Sequence, residues 1–147
     1  MDALRFGFVP PCHVSSIDGD GNCQFKALSK SCFGTDNRHL RIRRTVCDYM
    51  EQNWDHYKES VTTPNYLQRM RTVGTWGDHL TLDAFANAYD EQVIVMRAND
   101  TPNLIQPRTS AKDHKDWKAV VYSGTHYSAC DPWFATPTQQ YIEKWKE

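Results

Sequence analysis

Cys23 closes a turn-forming run, Asp18-Gly19-Asp20-Gly21-Asn22, and opens an apolar stretch, while His126-Tyr127 stands near the other end of the chain. A thiol and an imidazole are the parts of a nucleophile–base pair, and the chemistry of such a pair is the cleavage of acyl bonds. A free thiol has a pKa near ~8.5, which a helix N-terminus or a nearby imidazolium lowers. Cys23 is placed for both, in the first turn of a predicted helix where unpaired N–H groups and the dipole favour an anion. The backbone N–H groups of Asp20, Gly21, Asn22 and Cys23 are candidates for an oxyanion hole, in which one donor is worth about 3 kcal/mol of barrier. Gly19 and Gly21 offer positive φ angles and close approach of a substrate backbone.

The other residues of these types carry weaker signals. Cys12, Cys32, Cys47 and Cys130 read as structural thiols, and the same reading stands as the alternative for Cys23. His13, His39, His56, His79 and His114 read as surface or strand-end histidines. His126 follows Ser123-Gly124-Thr125, a tight turn, and should begin a strand. Residues 126 and 128 then share a strand face, which puts Ser128 within reach of the imidazole. No Cys-x-x-Cys pair occurs and the histidines lack metal-ligand spacing, so no metal site is expected.

Bulk properties narrow the class. The 147 residues suffice for one domain with a real core, and 39% hydrophobic with 12% aromatic content suits a packed globule. Seventeen basic and 18 acidic residues give a formal charge of -1, which excludes the basic excess of a nucleic-acid binder. No apolar run nears the roughly 20 residues of a membrane span. The first eleven residues lack the apolar core of a signal peptide. Five cysteines at irregular spacing then read as reduced thiols in the cytoplasm.

The elements that must position the pair are legible in outline. Helices are predicted over 22–33, with Phe25, Leu28 and Cys32 on one face, and from a cap at Asp36 or Asn37 to about Tyr57. Arg38, Arg41, Arg43 and Arg44 read as a largely solvated face of the second helix. A third helix should start at Thr63-Pro64 and end at Gly74, carrying Tyr66, Leu67, Met70 and Val73. Asp78 should cap a fourth, with Leu82, Phe85, Ala86 and Tyr89 as its stripe. Gln92–Met96, Leu104-Ile105, Ala119–Tyr122 and a return from His126 read as strands, and 137–145 as a last helix. Helices first and a small sheet later is the α+β class, read as a single domain over 1–147 that could be cut from a longer chain.

Asp20-Gly21-Asn22-Cys23-Gln24-Phe25-Lys26-Ala27-Leu28-Ser29 resembles the nucleophile segment of the ovarian-tumour (OTU) cysteine proteases. Trp76-Gly77-Asp78 with the helix and strand after it resembles that family's Trp-Gly block, and His126-Tyr127 its histidine segment. The blocks fall in family order and span residues 20–130. The resemblance implies a papain-like OTU variant, a small central sheet flanked by helices, and deubiquitinase activity. It makes Cys23 the nucleophile, His126 the general base and acid, and Asp20 the acidic residue of the nucleophile loop. By its place in the block, Trp76 becomes a wall of the substrate groove, with Trp133 a weaker second. The mechanism it implies needs no cofactor.

Where many members carry Asp or Asn two residues after the histidine, this chain has Ser128, so Ser128, another polar group such as Asn22, or water is left to orient the imidazole. Asp78, Asp83, Asp90 and Glu91 could meet the arginines of a ubiquitin tail, or be a solvated face. The expected partners are ubiquitin or polyubiquitin chains, and ubiquitin-like modifiers could serve as well; the enzyme would be a monomer without nucleic-acid or membrane partners. Two other functions fit the same residues: a weak or inactive ubiquitin-binding module, and a papain-like peptidase not specific for ubiquitin.

Overall fold

A computed structural model describes residues 14–15, 17, 20–97, 102–110, 117–124 and 126–130. The sequence readings at Asp18-Gly19, Thr125, Trp133 and 137–145 lie outside the described residues.

A five-stranded mixed sheet runs in the order β1-β5-β4-β2-β3, with β1 at Val14–Ser15, β2 at Val93–Arg97, β3 at Asn103–Ile105, β4 at Lys118–Tyr122 and β5 at Tyr127–Cys130. β2 and β4 are parallel, with Val93 beside Lys118 and Arg97 beside Tyr122; the other pairings are antiparallel. The β-branched runs Val93-Ile94-Val95 and Val120-Val121 are buried along their length, as strands covered on both faces must be.

The helices are α1 (Cys23–Phe33), α2 (His39–Gln52), α3 (Trp54–Tyr57), α4 (Tyr66–Arg71) and α5 (His79–Tyr89). α1 lies between the sheet and the other helices, packed against β4 and β5 on one side and α2 on the other. A single apolar face was expected there, but the helix is buried nearly all round, taking Gln24, Ser29 and Ser31 inside with Phe25 and Leu28. Its polar side chains are satisfied across the fold; the Ser31 hydroxyl, for instance, donates to the Ala119 carbonyl on β4 at 2.6 Å. Gly34 ends α1 in the left-handed region and donates to the Lys30 carbonyl.

Two expected helices differ. The second breaks at Asn53, whose side-chain amide and backbone N–H both turn back to the Tyr49 carbonyl. This Asn competes locally with the helical ladder, so α3 starts anew. The third starts at Tyr66, after Asn65 at φ 58, and stops before Val73, which is 57% exposed. The fourth forms as expected. Asp78 accepts from the N–H groups of Leu80 and Thr81, and the Thr81 hydroxyl accepts from the Asp78 N–H, a complete capping box.

Candidate active site

α1 and β5 together place the thiol beside the histidine segment. Cys23 is the first residue of α1, and β5 begins at Tyr127, one residue later than expected, so His126 is the last residue of the turn. The Ser123 N–H donates to the His126 carbonyl at 3.0 Å and closes that turn. The Tyr127 N–H in turn donates to Cys23 Sγ at 3.5 Å. The residue next to the imidazole is therefore in contact with the sulfur.

The Cys23 thiol departs from its expected state. It is fully buried, and burial pushes its pKa up; the negative charge of Asp20 adds to this, while the Tyr127 N–H works the other way. Burial and the Asp20 charge thus both disfavour the thiolate of Cys23. His126 is half-buried, and its Nδ1 is enclosed without a hydrogen-bond partner among the described residues. Ser128, paired across the sheet with Val121, makes no hydrogen bond to it. The Asn22 side-chain oxygen is engaged elsewhere, accepting from Arg43 at 2.9 Å and from the Gly74 N–H at 2.8 Å.

The loop before Cys23 is tied within itself. Asp20 Oδ1 accepts from the Asn22 N–H at 3.0 Å, and Oδ2 faces Lys26 Nζ at 3.4 Å. Partial desolvation opposes ionisation of Asp20, but the Asn22 N–H and the Lys26 charge outweigh it and hold the carboxyl below its usual range. The Cys23 N–H donates to the Asp20 carbonyl at 3.1 Å. Two of the four expected oxyanion donors, those of Asn22 and Cys23, are therefore spent inside the loop, and an incoming oxyanion would have to exchange for these bonds. Gly21 does not take a positive φ. The close approach it permits is that of the Gly74 backbone, where any Cβ would collide.

Trp76 is 50% exposed and lines a groove of about 570 Å³ together with Gly77, Leu82, Arg97, Tyr122 and Tyr127. The groove therefore runs up to the residue that touches the sulfur. Asp78 also lines it, but its carboxylate is occupied by the α5 cap and by the Tyr66 hydroxyl at 2.8 and 2.9 Å. Asp83 holds the Tyr57 hydroxyl and Arg108. Both carboxylates are thus engaged within the fold.

Two residues of the site escaped sequence reasoning. Gln24 is buried, donates to the Asp78 carbonyl at 3.1 Å and accepts from the Thr81 hydroxyl at 2.6 Å. It also reaches the Tyr127 hydroxyl, and so joins the cysteine, Trp-Gly and histidine segments. Arg43, expected on a solvated face, is 2% exposed and donates to the carbonyls of Gly21, Met70 and Thr75 and to the Asn22 side chain. Its spacing with Cys47 and Met50, both buried on α2, is the signal that could have placed it inside.

The family model described as OTU-like cysteine protease matches residues 18–130. Among curated proteins, the chain is 39% identical over 118 residues to ovarian tumor domain-containing deubiquitinating enzyme 10 of Arabidopsis thaliana, covering 75% of this chain and 33% of that protein. It is 29% identical over 117 residues to enzyme 11 of the same series from Arabidopsis thaliana, covering 77% and 47%. The chain thus spans a third to about half the length of these relatives. Among solved structures, it is similar to the OTU domain of OTUD1, with a TM-score of 0.70 at 17% identity over 80% of this chain and 84% of that one. An OTU domain in complex with ubiquitin gives 0.67 at 16% identity over 80% and 67%. At these identities the likeness is one of fold.

Proposed function

The chain belongs to the OTU-like cysteine proteases, and on that premise we propose that it is a thiol-dependent deubiquitinase. Cys23 attacks the carbonyl carbon of ubiquitin's C-terminal glycine where it is joined to a lysine amine. His126 takes the thiol proton and delivers it to the departing amine, leaving a thioester. Water, deprotonated by His126, then attacks the thioester; ubiquitin leaves with a free carboxylate and the thiol regains its proton. Asp20 shapes the loop, Trp76 walls the groove, and residues 1–147 act as one catalytic domain.

The observation that carries this reading is the Tyr127 N–H donating to Cys23 Sγ at 3.5 Å, because it sets the histidine segment against the thiol. The names of the similar plant proteins, and a ubiquitin complex among the similar structures, support ubiquitin as the substrate. Polyubiquitin chains in the cytoplasm are the substrates we infer for a monomeric enzyme, with ubiquitin-like modifiers as further candidates.

A ubiquitin probe with a C-terminal electrophile tests the reading. Wild type should form one adduct, and Cys23→Ala none; no adduct on wild type, or one surviving on Cys23→Ala, overturns it. The His126 Nδ1, without a hydrogen-bond partner among the described residues, favours a second reading, a weak or inactive ubiquitin-binding module. Ubiquitin binding without an adduct would decide for that module. Cleavage of short peptides with indifference to di-ubiquitins would decide for a general papain-like peptidase.

A further inference from the structure

A buried guanidinium is costly unless its donors are matched; in Arg43 the Nε has no partner among the described residues, and the two terminal nitrogens are matched in a specific way. One nitrogen of its fork donates to the Met70 and Thr75 carbonyls, both at 2.9 Å. The other donates to the Gly21 carbonyl at 3.3 Å and to Asn22 Oδ1 at 2.9 Å. The guanidinium also lies over the Phe25 ring, 4.4 Å from its centroid. Asn22 Oδ1 accepts the Gly74 N–H as well, so a closed ring of contacts runs from Arg43 through Asn22 to Gly74 and back through Thr75.

This ring joins two segments that bear on the reaction. Gly21 and Asn22 lead into Cys23, and Thr75 leads into Trp76-Gly77. Because a peptide unit is planar and trans, holding the Gly21 carbonyl toward Arg43 aims the Asn22 N–H the opposite way. That N–H is the donor now resting on Asp20 Oδ1. We infer that Arg43 is a positioning residue that fixes the nucleophile loop, and with it the direction of the Asn22 N–H, relative to the 70–75 segment that leads into the groove wall. The catalytic half of this inference rests on the hydrolytic reading given above; the structural coupling does not.

Lysine keeps the charge but is a single point donor, which cannot bridge four acceptors on two segments. Arg43→Met and Arg43→Lys should therefore behave alike. In hydrogen exchange on the whole chain, amides of 20–23 and of 70–75 should exchange about tenfold faster or more, while α5 and β2 keep their wild-type protection. On a ubiquitin substrate, kcat should fall about 100-fold, as for loss of one oxyanion donor, with KM within about threefold.

Unchanged exchange in either segment of a folded variant, or wild-type kcat in Arg43→Met, overturns the inference. If both Arg43 variants fail to fold, Asn22→Ala removes only the shared acceptor and should loosen 70–75 together with the loop; unchanged protection there overturns the inference equally. Wild type that hydrolyses no ubiquitin substrate sinks the deubiquitinase reading alone, because the exchange measurement still decides the role of Arg43.

Discussion

The backbone of Gly21 runs directly against the carbonyl of Gly74, leaving no room for a side chain at position 21. The contact is backbone to backbone, so no side-chain rotation can relieve it. Gly21→Ala must push the nucleophile loop away from the segment that leads to Trp76. It should cost about 1–3 kcal/mol in urea unfolding, as other overpacking changes do. Displacing the loop by an ångström should lower turnover about 100-fold. Wild-type stability together with wild-type activity in Gly21→Ala would show that the close approach is dispensable.

Gly77 meets the same helix differently. A Cβ there would lie 2.6 Å from Cδ of Gln24, the far end of a flexible side chain. Gln24 can swing away, but it then abandons the Asp78 carbonyl and the Thr81 hydroxyl. Gly77→Ala should therefore cost about 1–2 kcal/mol, the worth of those two bonds. In a Gln24→Ala background the same change should cost close to nothing, giving a coupling of about 1 kcal/mol or more in a double-mutant cycle. Simple additivity would mean that Gln24 is not what holds Gly77 to glycine.

Cys23 lies where burial and the Asp20 charge both raise its pKa, so its thiolate should form only above the ordinary thiol range. Site-resolved alkylation by iodoacetamide should still be rising at about pH 9. Asp20→Asn removes one of the raising charges, so Cys23 should alkylate faster at neutral pH in that variant. Cys47, pushed up to about 11 by burial, serves as an internal slow thiol. A Cys23 plateau below about pH 8 would contradict this account.

The reach of the sequence follows from what each signal encodes. Cys23 with its Asp-Gly-Asn turn, the Asp78 cap and the apolar strands are local patterns, and their elements formed close to the expected places. The break at Asn53 was missed because an apolar stripe continues across it to Tyr57, while the bond that stops the helix comes from one side chain. Arg43 was read outward because charge suggests solvent, and its compensation comes from carbonyls 22 to 32 residues away, which no local pattern reports. Gln24 is the same case on α1: a polar residue inside the fold is explained only by the partners that tertiary packing brings to it. The thiol's raised pKa was missed for a related reason, since the helix start is visible in the sequence and the burial around it is not.

His126 Nδ1 is enclosed and lacks a hydrogen-bond partner among the described residues. An imidazole that must accept a proton on one nitrogen works best when the other donates to an acceptor that fixes its tautomer and steadies the imidazolium. Ser128 stands two residues further on, half-buried in β5, so a carboxylate at that position keeps contact with solvent. Ser128→Asp would supply a charged acceptor. A charge-assisted hydrogen bond contributes about 1.5 kcal/mol or more, equivalent to about tenfold in rate. Ser128→Asp should therefore raise kcat on a ubiquitin substrate by about that factor, with KM little changed because the bond acts on the base rather than on bound substrate. An unchanged kcat, or a large fall, in folded Ser128→Asp would count against residue 128 as the group that orients His126.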